Sequence, residues 1–210
     1  MTPQLQNTGR KSAVSKLKRK IILDAARSLF EEQGLDGTSL RGIAKEAGYT
    51  PAALYFHFDS KEAIYGEVLQ DSLYQLSQRI NSAINCVENP AQKLKLAAMT
   101  FFSFYDENPR DLDLGFYLFR GGMKPVGLGK ERDQELNQAL KISLMPIAEA
   151  AIEMGASVEQ SQCIMVDMFA HATGLLLLAH TGRIRLFSVS ATEQMQQYVE
   201  QQLNYLKESM

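Results

Sequence analysis

The chain of 210 residues predicts an all-α fold of about nine helices, and three observations carry that prediction. Apolar residues recur at helical spacing in almost every long segment. Sustained apolar–polar alternation and Asn-Gly turns, the marks of paired strands, do not occur in the sequence. Helix-start signals recur along the chain, as Thr or Asn before Pro and as Ser three residues before Gln or Glu. With 45% hydrophobic and 22% charged residues, the composition supports a buried core.

The elements follow in order. Residues 14–33 place Ile22, Ala26, Leu29 and Phe30 on one stripe, with Gly34 as a stop. Thr38 is expected to cap a short helix that runs to Ala47, with Gly48 beyond it. Thr50 caps the next, with Pro51 at the first helical position, where an N–H would be unpaired anyway. Ser60 opens a long helix to about Val87. Asn89-Pro90 and Asn108-Pro109 are each read as a cap followed by a first-turn proline, opening helices over 90–107 and 109–120. GGMKPVGLG (121–129) is a loop. Residues 130–154 form a helix that Pro146 should kink or split. Ser157-x-x-Gln160 and Ser190-x-x-Glu193 are capping boxes that begin helices over 158–182 and 190–208.

Charge is uneven along the chain. Residues 1–65 hold 10 Lys/Arg against 7 Asp/Glu, and residues 66–210 hold 12 against 17. This suggests a basic N-terminal module on an acidic body. Within the module, helix, glycine stop, short helix, tight turn and short helix is the helix-turn-helix order. Leu40, Ile43, Ala44 and Ala47 can pack inward, and Leu54 and Phe58 cover the same small core. Pro51, Ala52, Ala53 and Tyr55 then remain outside. Two alanines let the backbone approach base edges, and an alanine methyl can meet a thymine methyl. Tyr55, His57 and Lys61 can bond phosphates. Upstream, Arg10, Lys11, Lys16, Lys18, Arg19 and Lys20 form a basic arm suited to phosphate attraction.

The stretch TSLRGIAKEAGYTPAALYFHFDSKEAI (38–64) resembles the DNA-binding signature of the tetracycline-repressor (TetR) family of bacterial regulators. It matches the family pattern of Thr-x-x-x-Ile-Ala, a glycine, Ser/Thr before the recognition helix, Leu-Tyr-x-x-Phe and Ser-Lys-Glu. The resemblance implies a three-helix DNA-binding domain over residues 1–66 and a larger helical domain for effector binding and dimerisation over 67–210. It places Thr38 and Ser39 near a phosphate, Arg41 at a base edge, and Thr50, Pro51, Ala52 and Ala53 at the front of the recognition helix. Tyr55, His57 and Lys61 would hold phosphates, with Lys18 and Arg19 from the arm. Many relatives carry Lys, Gly, Arg or Gln where this chain has Pro51 and Ala52. That departure shifts hydrogen-bonded base readout toward Arg41. The family role implied is a repressor released from its operator by a small molecule, with the 60–87 helix as lever.

In the body, the 158–182 helix carries small residues at Ala170, Thr173 and Gly174, then Leu175 to Leu178. The 190–208 helix places Met195, Tyr198, Val199, Gln202 and Leu206 near one side. Helices apolar on more than one face serve two partners, so these two can build a four-helix bundle with a second copy. A two-fold dimer requires a near-palindromic double-stranded operator with half-sites about 34–36 Å apart. Phe101, Phe102, Phe104, Tyr105, Phe116, Tyr117, Phe119, Met123, Met168, Phe169 and His171 form an aromatic and methionine set. It is either core or the wall of an apolar effector site. Phe101, Phe104, Tyr105, Phe116, Tyr117, Met168 and His171 are the candidate effector contacts. Arg120 would pair there with a ligand carboxylate, or else with Asp111 or Asp113. A constitutive DNA-binding regulator without effector is the alternative.

Enzymatic chemistry finds no footing in the sequence. His171 and His180, nine residues apart on one helix, fall on opposite faces and cannot share a metal. GLGKER (127–132) lacks the phosphate-loop spacing. No metal site or cofactor is expected. Cys86 and Cys163 have no CxxC spacing and are read as free thiols in a reducing compartment. MTPQLQNTGRKS has no apolar signal core, and Ile164–Ala179 is broken by Asp167 and His171. A cytoplasmic protein without a membrane segment is therefore expected.

Overall fold

The computed structural model describes residues 4–115 and 128–208, with side chains from Val14 onward. Among the described residues there are nine α-helices, one 3-10 turn and no strand. They are α1 (Gln4–Gly37), α2 (Leu40–Glu46), α3 (Pro51–Tyr55), α4 (Lys61–Ile84), α5 (Pro90–Glu107), α6 (Pro109–Gly115), α7 (Lys130–Glu153), α8 (Val158–His180) and α9 (Ala191–Glu208). The 3-10 turn spans Arg183–Phe187.

The chain divides into two compact units. The first runs to Asp71 and includes the described part of Leu114–Asp133; the second holds Ser72–Asp113 and the chain from Gln134 onward. In the first unit, Ile22, Ala26, Phe30, Ile43, Ala44, Leu54, Phe58, Ile64 and Tyr65 are buried. Tyr65 also packs edge-on against Phe30, and its hydroxyl donates to the Leu114 carbonyl at 2.6 Å. In the second unit, α5, α8 and α9 pack on one another. They bury Phe101, Phe102, Met168, Leu176, Met195 and Val199. α8 has the length and apolar content of a membrane span, but Ile164, Met165, Met168, Leu175 and Leu176 are spent on this packing.

The helix ends show how the order is held. The long helical path of α1 breaks at Gly34, where a stop was expected, with φ 70° and ψ 175°, a conformation open chiefly to glycine; a last short turn then runs to Gly37. Gly48 (φ 71°) closes α2 in a Schellman motif, with Tyr49 N–H on the Ala44 carbonyl at 2.8 Å and Gly48 N–H on the Lys45 carbonyl at 3.1 Å. Thr50 caps α3, accepting from Ala53 N–H at 3.3 Å with Pro51 behind it. Ser157 and Gln160 complete a capping box on α8. At α9, Ser190 accepts from Glu193 N–H at 3.4 Å.

Three expectations need correction. The cap of α2 is Ser39, which accepts from Gly42 N–H at 3.1 Å; Thr38 is buried and its hydroxyl turns back to the Gly34 carbonyl at 2.7 Å. Asn108 ends α5 rather than capping α6 with its side chain: Nδ2 donates to the Phe104 carbonyl at 2.8 Å. Pro146 does not split α7, which runs unbroken from Lys130 to Glu153. Pro146 lies buried beside Ile147 and Ala148, so packing along α7 outweighs one missing N–H.

The helix-end chemistry separates two neighbouring hydroxyls. Thr38→Val strips the hydroxyl's single donor from the buried Gly34 carbonyl and should cost about 1–3 kcal/mol, whereas Ser39→Ala should cost about 1 kcal/mol. Urea unfolding of both variants checks the order.

Candidate nucleic-acid interface

Leu54 fixes the orientation of α3. It is fully buried, and at 100° per residue the positions opposite it are Ala52 and Phe56. Phe56 retains helical backbone as the C-cap (φ −71°, ψ −16°), so it continues the α3 face. Ala52 is exposed, and Phe56 is 89% exposed. Pro51 and Tyr55 are exposed beside them; Ala53 and His57 are half-buried. Phe56 escaped notice in the sequence because its neighbour Phe58 is core. It stands two residues from Leu54, about 200° round the helix, and so opposite the buried side.

On α2, Arg41 and Lys45 are exposed and Ser39 caps the first turn. Lys16, Lys18 and Lys20 are exposed on α1, and no acidic residue precedes Asp24. The remaining residues expected at phosphates have internal partners. Thr38 donates to the Gly34 carbonyl, with the Leu29 carbonyl at 3.3 Å. Lys61 Nζ donates to the Leu35 carbonyl at 2.8 Å and lies 3.4 Å from the Thr38 carbonyl. Arg19 Nε donates to Glu67 at 2.9 Å, and its Nη2 pairs with the other Glu67 oxygen. Its Nη1 donates to the His57 carbonyl at 3.0 Å, and its guanidinium lies 4.3 Å from the Phe58 ring centre. Arg19 thus staples α1 to the segment after α3. A run of basic residues looks uniform in sequence, and only the fold shows which member is turned inward.

The candidate effector residues divide three ways. Phe101, Phe104 and Tyr105 are buried on α5. Phe101 meets Tyr105 edge-on at 5.1 Å and Phe169 of α8 at 5.8 Å; Met168 is buried as well. Burial, with Asp111 adding, pushes the Tyr105 hydroxyl pKa well above its ordinary value, so it stays neutral. His171 instead stacks on Tyr198 of α9 with ring centres 3.8 Å apart and planes 13° apart. Its Nε2 is buried and has no hydrogen-bond partner among the described residues, and burial lowers its pKa. Phe116, Tyr117 and Arg120 lie outside the described residues. His180, not singled out for this role, contacts the Tyr105 carbonyl through Nε2 at 3.1 Å. Among the described residues no cluster of His, Cys, Asp or Glu could hold a metal ion.

One face of the second unit is apolar and open. Val166, Ala170, Gly174 and Leu177 of α8 are exposed and fall on one stripe. Tyr205 of α9 is exposed and Tyr198, two turns earlier, is half-exposed, while Met195, Val199, Leu203 and Leu206 are buried.

Comparison with known proteins agrees with this geometry. The family model for bacterial regulatory proteins of the tetR family matches residues 22–68. The HTH-type transcriptional regulator YdgC of Bacillus subtilis is 32% identical over 170 residues, covering 76% of this chain and 81% of the relative. The HTH-type transcriptional repressor KstR2 of Mycolicibacterium smegmatis is 36% identical over 85 residues, covering 40% of this chain and 42% of that protein. Among solved structures, the regulator FadR from Bacillus subtilis in complex with stearoyl-CoA superposes with a TM-score of 0.63 at 19% identity, covering 89% of this chain and 96% of that one. At that identity the likeness establishes a shared fold.

Two measurements probe these environments. Arg19→Gln and Glu67→Gln should each lower stability, and a double-mutant cycle should return about 0.5–1 kcal/mol of coupling for this partly exposed pair. For His171, the unfolded chain takes up a proton first as pH falls through about 6.5, while burial lowers the pKa of the folded form and delays its protonation. Its contribution is present above that pH and is lost on acidification. His171→Gln should therefore flatten the fall in stability between about pH 7 and pH 5, read from urea midpoints.

Proposed function

This chain belongs to the TetR family of bacterial regulatory proteins, and on that premise we propose that it is a transcriptional repressor released from its operator by a small apolar effector. The protein is a transcriptional regulator; repression, the operator's symmetry and the effector are the proposal's own. Residues 1–66 bind DNA, and 67–210 bind effector and dimerise. The observation that carries this is α3, anchored by Leu54 on one side and open at Ala52, Tyr55 and Phe56 on the other. Arg41 on α2 supplies the hydrogen bonds to a base edge. Lys16, Lys18 and Lys20 supply phosphate attraction beside it. The work is that of a cytoplasmic DNA-binding protein rather than an enzyme.

The open stripe of α8 and the tyrosines of α9 are the surface through which two copies pair as a four-helix bundle. Two-fold pairing sets two α3 helices on one face of the DNA and calls for a near-palindromic site. The effector belongs to the acyl or aromatic class. Support comes from the aromatic and methionine composition around Phe101, Phe104, Tyr105 and Met168, and from the structural neighbour that holds stearoyl-CoA. Release follows only if the effector binds better to the DNA-incompetent dimer than to the competent one. A regulator without effector is the second reading, favoured by the way Phe101, Tyr105 and Phe169 fill one another's space.

Fluorescence anisotropy on a labelled duplex from upstream of the protein's own gene tests the proposal. Two chains should bind per site, and stearoyl-CoA or a free fatty acid should release it. Unchanged affinity with acyl ligands at saturation would favour the constitutive regulator. Arg41→Ala should weaken operator binding by about 1–3 kcal/mol and relax one operator position. An equal loss on unrelated DNA would make Arg41 a phosphate contact.

A further inference from the structure

We propose that α3 recognises thymine through its 5-methyl group, with Ala52 and Phe56 as the specificity-determining residues. This rests on the operator-binding reading and goes beyond it by naming the base feature that the helix reads. Four observations support it. Leu54 points α3's opposite face outward, and that face consists of a methyl side chain at Ala52 and a benzyl side chain at Phe56, one helical turn apart. Phe56 is 89% exposed, and its ring makes no stacking contact among the described residues. Pro51 beside them has no N–H to offer, and Thr50's oxygen is engaged with the Ala53 N–H. α3 itself carries no Lys or Arg; the exposed cations Arg41 and Lys45 belong to α2.

The occupant follows from chemical complementarity. The floor of the major groove presents acceptors, donors and one apolar feature, the thymine C5-methyl. A benzyl ring set against guanine O6 and N7 or the cytosine amino group would strip water from polar atoms and return no hydrogen bond. Against a thymine methyl the same ring buries apolar surface at no such cost. The exposed lysines of α1 and Arg41 supply the positive charge that draws a duplex, which a purely apolar protein partner would not require. The half-site is therefore expected to carry thymines beneath α3 and a hydrogen-bonded base beneath Arg41.

The test begins with a duplex selected by the full-length protein from a random-sequence library. Each thymine in turn is replaced by deoxyuridine, which removes only the methyl. At one or more thymines in each half-site, affinity should fall roughly fourfold, the effect of one buried methyl group. Restoring bulk with 5-bromodeoxyuridine should restore binding. Phe56→Ser and Ala52→Gly proteins, verified as folded by thermal melting, should bind more weakly and lose the thymine–deoxyuridine difference at the positions they touch. Deoxyuridine duplexes that all bind within about twofold of the thymine duplex would overturn the proposal while leaving operator binding intact. Discrimination that persists in both variants would overturn the assignment to Ala52 and Phe56. Selection that enriches no sequence would overturn the operator-binding reading and this proposal together.

Discussion

The first unit depends on how the end of α1 is closed. A helix end leaves carbonyls without intrahelical N–H partners, and burying them unpaired is costly. Here the chain leaves the helical path at Gly34; the Thr38 N–H reaches the Leu35 carbonyl at 3.3 Å, and two side chains from later in the sequence add further donors. The Thr38 hydroxyl reaches the Gly34 carbonyl, and the Lys61 ammonium reaches the Leu35 carbonyl. Thr38 precedes α2 and Lys61 opens α4, so one helix end ties three helices together. The Arg19 staple to Glu67 and the His57 carbonyl adds a second tie, from α1 to α4 and to the segment after α3. The short α3, only Pro51–Tyr55, could not hold its direction alone. It is held by Leu54 below and by the chain fastened on either side.

This arrangement explains which features were legible in the sequence. Gly34, Gly48 and the Thr50-Pro51 pair act on their own immediate backbone, so their roles can be read locally. Leu54 and Phe58 were legible through spacing, because a helix of known period has only one inward face. The internal partners of Thr38, Arg19 and Lys61 are not legible in the sequence, because they lie in other segments, up to 48 residues away. Periodicity gives a residue's rotation about its own helix axis, and it is silent on which carbonyl waits across the gap. The exchange of Ser39 for Thr38 as the α2 cap has the same origin. Both hydroxyls stand before a helix, and a buried acceptor behind Thr38 decided between them.

In the second unit the sequence pattern succeeded on helix positions and fell short on what each face meets. The sequence marks Ala170, Thr173, Gly174 and Leu175 to Leu178 on α8 without dividing them between faces; Leu175 and Leu176 are core, while Ala170, Gly174 and Leu177 join Val166 on the exposed stripe. By sequence His171 falls in one aromatic and methionine set with Phe101, Tyr105 and Met168, yet its ring lies flat on Tyr198 of α9. Nothing in a helix of mixed apolar residues distinguishes a face that meets a neighbour from one that does not.

The α3 face has a further consequence for how such a protein changes over time. Ala52 and Phe56 carry none of the bonds that hold the first unit together; those belong to Thr38, Lys61, Arg19 and Leu54. Replacing an exposed residue with no structural partner usually alters stability by no more than about 0.5 kcal/mol. The two exposed positions can therefore vary without jeopardising folding. Under the proposed readout, single substitutions at these two positions would change the target sequence and each leave a folded protein behind.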